Sequence, residues 1–82
     1  MPEITRFFGI IIRMYFNEHE PSHIHCVYGG NESIFNLRDM KFEDDKFSPR
    51  AQKLVIEWAD LYRCQLLEMW FKKEIRKLPP LE

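Results

Sequence analysis

At 82 residues the chain has room for one domain, near the lower size at which a single apolar core suffices for folding. Hydrophobic residues at 45% and aromatics at 15% exclude a disordered chain and call for a compact fold with large aromatic contributions. A formal net charge of -1 excludes the general basic excess that nucleic-acid binders use to release counterions, leaving at most a local patch.

The chain opens Met-Pro-Glu-Ile-Thr-Arg, without the basic segment and apolar run of a secretory signal. No apolar stretch approaches the roughly 20 residues needed to span a bilayer, so a cytoplasmic protein with no membrane association is expected. From Arg6 to Phe16, Phe8, Ile10, Ile12, Met14 and Phe16 alternate with Phe7, Gly9, Ile11, Arg13 and Tyr15. That period predicts one long first strand with an apolar face built on the even positions and a mixed, partly open face on the odd ones. Gly9 marks a bulge or a close approach of another backbone.

Asn17 to Ser22 breaks the alternation with polar residues and Pro21, predicting a rigid connection. His23–Tyr28 and Asn31–Leu37 then read as a hairpin, because Gly29-Gly30 suits a two-residue turn with positive φ. The turn sets a register: Tyr28 opposite Asn31, Cys26 opposite Ser33, Ile24 opposite Phe35. Ile24, Cys26, Tyr28, Phe35 and Leu37 share an apolar face. His23, His25 and Val27 point the other way, with Glu32, Ile34 and Asn36. Arg38 to Glu43 adds a short fourth strand through Met40 and Phe42, and Glu43 to Lys46 is a solvated loop without calcium-loop spacing.

Ser48-Pro49 is a helix start, a side-chain cap followed by a proline at the first helical position. Ala51, Leu54, Val55, Trp58, Leu61, Tyr62, Leu66 and Met69 form one apolar stripe, and Glu68 and Lys72 an i, i+4 pair. Ile56, Cys64, Leu67, Phe71 and Ile75, bordered by Trp70, form a second patch on the opposite side, which the same sheet cannot cover. A helix continued to Lys77 would be roughly 43 Å long, so it either breaks into two packed segments or extends to a second subunit. Pro79-Pro80 ends it in both cases. Cys26 and Cys64, far apart and outside any C-x-x-C arrangement, suit a reduced compartment and are expected as buried thiols.

All three histidines lie between Asn17 and Gly30. Two imidazoles at i, i+2 on a strand share a face, so His23 and His25, with His19 from the connection, form a candidate site for a divalent ion such as zinc. Glu18, Glu20 and Glu32 are on hand as carboxylate ligands or to orient an imidazole. A metal-free alternative has His23 or His25 as general acid and base, with Arg13 or Arg6 stabilising a phosphate. A third reading makes the histidines structural, bonded to the turn backbone and to Glu32 or Asn36. His19-Glu20-Pro21-Ser22-His23 fits the letters of the zinc-protease motif, but Pro21 and the strand that follows oppose the helix which that chemistry requires.

Three stretches together resemble the small bacterial family described as domain of unknown function 4160: Met-Pro-Glu-Ile-x-Arg-Phe-x-Gly-Ile-x-Ile-x-Met at the start, His19-x-Pro21-x-His23-Ile24-His25-x-x-Tyr28-Gly29, and Leu54-Val55-x-Glu57-Trp58-Ala59-x-Leu61 with Leu66-Leu67-x-x-Trp70. The resemblance carries over His19, Pro21, His23, His25, Tyr28 and Gly29, and brings no established activity. It implies a small protein often encoded beside another, as in toxin and antitoxin pairs. Ser22 stands where many relatives have a second proline. Tyr62 stands where a histidine is common, which argues against a further ligand from the helix. Glu20 occupies a position that the pattern leaves free.

The expected fold is α+β: a small antiparallel sheet of three to four strands packed on a long C-terminal helix or helix pair. Residues 1–82 form a single domain, with 1–47 mostly strand, 48–78 helical and 79–82 a tail. The leading functional expectation is an interaction or regulatory protein of toxin-antitoxin type. It would meet a second small protein, or a second copy of itself, through Ile56, Leu67, Trp70, Phe71 and Ile75, an exposed apolar surface. The alternatives are a ribonuclease or metal-assisted phosphodiesterase with His23, His25 and Arg13 as catalytic groups, and a small metal-binding module on His19, His23 and His25.

Overall fold

The computed structural model describes residues 3–15 and 18–81. These form an antiparallel meander of five strands, ordered β1 (Glu3–Phe7), β2 (Ile10–Arg13), β3 (His23–Tyr28), β4 (Asn31–Asn36) and β5 (Lys41–Phe42), followed by helices α1 (Pro49–Leu61) and α2 (Arg63–Lys72). The α+β architecture is as expected. The additional strand arises because the long first strand is a hairpin.

Phe8 and Gly9 both have positive φ, at 50° and 81°, which matches the right-handed twist of two strands joined by a two-residue turn. The turn pairs Phe7 with Ile10 and Thr5 with Ile12. It also moves the inward phase of the first half by one residue: Phe7 is buried and Phe8 is 55% exposed, the reverse of the alternation read along one strand. Gly9 is therefore a turn residue, with the Tyr28 ring 3.5 Å from where a Cβ would lie. The expected end of the strand, at Phe16, falls outside the described residues.

The β3–β4 register is the expected one, with Tyr28 opposite Asn31, Cys26 opposite Ser33 and Ile24 opposite Phe35. Ile24, Cys26, Phe35 and Leu37 are buried, whereas Tyr28, at the turn end, is 38% exposed. Asn36 ends β4: its amide donates to Glu43 (3.0 Å) and its oxygen accepts from the Asp39 N–H (2.8 Å), closing the turn into β5. The Ser22 carbonyl accepts from the Leu37 N–H (2.9 Å), tying the start of β3 to the end of β4.

Ser48 caps α1 through its hydroxyl, which accepts from the Ala51 N–H (3.2 Å), and Pro49 is the first helical residue. The helix breaks at Tyr62 (φ -113°, ψ 21°), resolving the length conflict: the whole molecule is only 31 Å along its longest axis. Ala51, Val55, Trp58 and Ala59 of α1 and Leu66, Met69 and Trp70 of α2 join the inward residues of the sheet in one core. Leu61 falls at the break and is 62% exposed, so it leaves the predicted stripe. Lys72 and Glu68 make the expected pair at 3.1 Å.

Helix α2 stops well before Lys77. Lys73 takes the left-handed conformation, and the Glu74 N–H donates to the Met69 carbonyl (3.1 Å), a Schellman-type ending made without glycine. Residues 73–81 are non-helical and return to the core instead of forming a short tail. The Leu78 N–H donates to Ile4 on β1 (3.1 Å), and the Trp58 indole N–H donates to the Pro79 carbonyl (2.8 Å). Cys26 is buried and desolvation raises its thiol pKa far above the ordinary value; Cys64 is exposed, contrary to expectation.

Candidate metal centre

The outward face of β3 carries the site. Because side chains alternate along a strand, burial of Ile24 and Cys26 puts His23 and His25 together on the other side. Both imidazoles are largely covered, with 13% and 14% of their side chains exposed. Their ring centroids are 5.3 Å apart. The rings are held by their neighbours: Trp70 lies 4.9 Å from His23, and Tyr15 meets His25 edge-on at 4.6 Å.

Each ring has its two nitrogens bound differently. His23 Nδ1 lies 2.8 Å from the Pro21 carbonyl, and His25 Nδ1 lies 2.9 Å from Glu32 Oε2. Both Nε2 atoms face the same atom, Glu18 Oε1, at 2.9 Å from His23 and 2.7 Å from His25. Hydrogen bonds from His23 and then His25 hold the Glu18 carboxyl below the usual carboxylate range. One potential ligand atom from each of Glu18, His23 and His25 lies within 4.8 Å of the others.

The connection before β3 delivers Glu18 and fixes His23. The Glu20–Pro21 peptide is cis, and Pro21 presents its carbonyl to the His23 ring. No helix spans His19 to His23, so the zinc-protease geometry is absent. Glu20 is held by the Trp70 indole N–H (2.9 Å), which links α2 to the connection.

The expected metal trio is therefore changed in one member. His19 is exposed and lies outside the cluster, and Glu18 supplies the third donor. Glu32 orients an imidazole, and the bonds from His23 to the turn backbone and from His25 to Glu32 are those envisaged for structural histidines. Arg13 pairs with His25 across β2 and β3, which places the two on one face, whereas Arg6 is engaged with Glu3 at 2.9 Å. Trp70, expected on an exposed partner surface, is 4% exposed and walls the histidine site. Leu67 and Ile75 are partly buried against the core, while Ile56 and Phe71 are 38% and 66% exposed. Sequence reasoning misses Tyr15 and Trp70 as site residues. Tyr15 is detectable as a same-face neighbour of Arg13, and Trp70 only through its place at the border of two apolar stripes.

These features define a small α+β protein with two histidines and a carboxylate converging on the outer face of an antiparallel sheet. No curated protein and no solved structure matches the chain. Its sequence does match the family described as Domain of unknown function (DUF4160), over residues 9–71, and the chain belongs to that family. The match takes in β2 to β5, both helices up to Phe71 and all three residues of the cluster, Glu18, His23 and His25.

Proposed function

We propose that this is a small metalloprotein that holds one divalent transition-metal ion, zinc being the ion its donor set suits first, on Glu18, His23 and His25. The observation that carries this reading is the division of roles on the two rings. Each Nδ1 has its own acceptor, while both Nε2 atoms meet at one carboxylate oxygen. A carboxylate oxygen can only accept, so for all four of these contacts to be hydrogen bonds without a metal, each ring would need an N–H at both nitrogens. A single divalent ion replaces the two Nε2 protons with equal charge and leaves both Nδ1–H bonds intact. That is the usual arrangement of metal-bound histidines, whose second nitrogen donates to a carbonyl or carboxylate.

Three protein donors are one short of a closed structural zinc site, so the centre is of the open kind, with a position for water or an added ligand. An ion so held acidifies bound water and polarises a substrate oxygen. The interaction reading keeps only Ile56 and Phe71 of its five residues as exposed apolar contacts. The metal reading is preferred because its groups already converge.

Zinc titration followed by calorimetry, on protein purified without a histidine tag, tests this proposal. About one equivalent should bind, and zinc at 100 times Kd should stabilise the fold by about 2.7 kcal/mol. His23→Ala and His25→Ala each remove a ligand outright, so binding should weaken by more than the roughly 10–100-fold that loss of an outer partner costs, and the zinc-induced thermal shift should disappear whatever each truncation does to the zinc-free melt. Less than a tenth of an equivalent, with no thermal shift, leaves Glu18 as a plain ion-pair partner and overturns the proposal.

A further inference from the structure

We propose that Arg13 turns this centre into an oxyanion site, whose ligand is a phosphate group held between the Arg13 guanidinium and the ion on Glu18, His23 and His25. The inference rests on the metal reading above and adds to it the class of molecule that the open position accepts.

Arg13 and His25 are direct cross-strand partners, so their Cβ atoms are about 4.5–5.5 Å apart on the same face. Arg13 is partly exposed, yet its Nε is shielded from solvent and has no hydrogen-bond partner, the one such side-chain atom among the described residues. A shielded guanidinium donor without an acceptor is unfavourable, and native proteins satisfy such groups with an ion or water.

The carboxylates around this face are already engaged. Glu3, the β1 register partner of Arg13, receives both Nε (3.3 Å) and Nη2 (2.9 Å) of Arg6. Glu18 and Glu32 are bound to the imidazoles, and Glu20 to Trp70. The Arg13 side chain has no hydrogen bond or ion pair with any described residue, and its interaction with Glu3 is a longer-range electrostatic one, weaker than that of Arg6. With a divalent ion in place, the ion and Arg13 outweigh Glu18 and Glu32, the two carboxylates on the imidazoles, by one positive charge, which attracts an anion to the open coordination position.

Among anions, a phosphate group fits best. It offers several oxygens in a tetrahedral array, so one can ligate the ion while two others receive the planar fork of arginine. A carboxylate has only two oxygens and cannot satisfy both partners as fully.

The test is a calorimetric titration of phenyl phosphate into protein loaded with one equivalent of zinc, with zinc affinity measured separately for every variant. Zinc-loaded wild type should bind phenyl phosphate at least tenfold more tightly than zinc-free wild type and at least tenfold more tightly than acetate. Arg13→Gln should lose about tenfold in phenyl phosphate affinity with zinc affinity unchanged. Arg13→Lys, which keeps the charge without the fork, should fall between the two and guards against a folding defect in the glutamine variant. Phenyl phosphate binding that is absent, equal to acetate, or unaffected by both substitutions overturns the inference while the metal reading stands. Failure of zinc itself to bind overturns both.

Discussion

Strand β3 presents two environments on alternate residues. Ile24 and Cys26 are wholly buried against the helices, whereas His23 and His25, one residue out of phase, retain 13% and 14% side-chain exposure. The inward face works by removing apolar area from water, at about 25 cal/mol per Å², and any side chain of suitable shape contributes. The outward face works by directed bonds. Its rings are largely covered, and each of their nitrogens has a partner. One backbone thus carries the core on one side and the candidate metal centre on the other, and the two should respond separately to substitution.

The largest expected effect lies on the inward face. Phe35 is fully buried beside Ile24, with its ring centroid 5.0 Å from that of Phe42. Phe35→Ala should remove about 3–5 kcal/mol, much of the 5–15 kcal/mol typical of a whole domain. Urea unfolding with and without saturating zinc checks the separation of faces. The increment due to zinc should equal that of the wild type, and a lost increment would show that the core also sets the metal site.

A smaller effect is expected on the outward face. Glu32 is half exposed and binds His25 Nδ1, so Glu32→Ala removes no metal donor but frees the ring to turn. Zinc affinity should fall by about tenfold, at the low end for such outer partners, and the zinc-free melt should barely move. Calorimetry and a thermal scan of the same samples give both readings. A full loss of zinc binding would make Glu32 a ligand instead of an orienting group.

The two regions also differ in how far the sequence discloses them. The β3–β4 register is legible because Gly29-Gly30 permits few turn geometries; strand alternation puts His23 and His25 on one face, and the register sets which residues of β4 lie opposite them. The β1–β2 hairpin is hidden because Phe7 and Phe8 are both apolar, so either phase of the alternation looks satisfactory across the turn. The helix break at Tyr62 has neither proline nor glycine, and only the excessive length and two-sided apolar pattern hint at it. The stop at Lys73 likewise lacks glycine, which lets Pro79-Pro80 stand as the apparent terminator. Within the site, Glu18 is one of several nearby carboxylates. The bond from Trp70 to Glu20 spans 50 positions, so no local spacing could announce it.

The smallest effect expected is a dependence on pH that arises from the inward face and should leave the histidines untouched. Ser33, paired with Cys26, is buried, and its hydroxyl donates to Asp44 in the loop after β5. That bond is the main reason the Asp44 carboxyl sits below its ordinary value of 3.8, with the Lys46 backbone N–H a lesser cause. A carboxylate whose pKa is lower folded than unfolded adds stability above the unfolded value and loses it as pH falls through the folded one. Ser33→Ala should therefore be less stable than wild type at pH 6, by about 1 kcal/mol after allowing for solvent screening, and the gap should narrow by about pH 2. Glu18 is depressed in both proteins, so its contribution cancels in the difference. Urea unfolding at pH 6, 4 and 2 provides the comparison. A gap that stays constant with pH would mean that Ser33 acts through packing beside Cys26, with no ionic share.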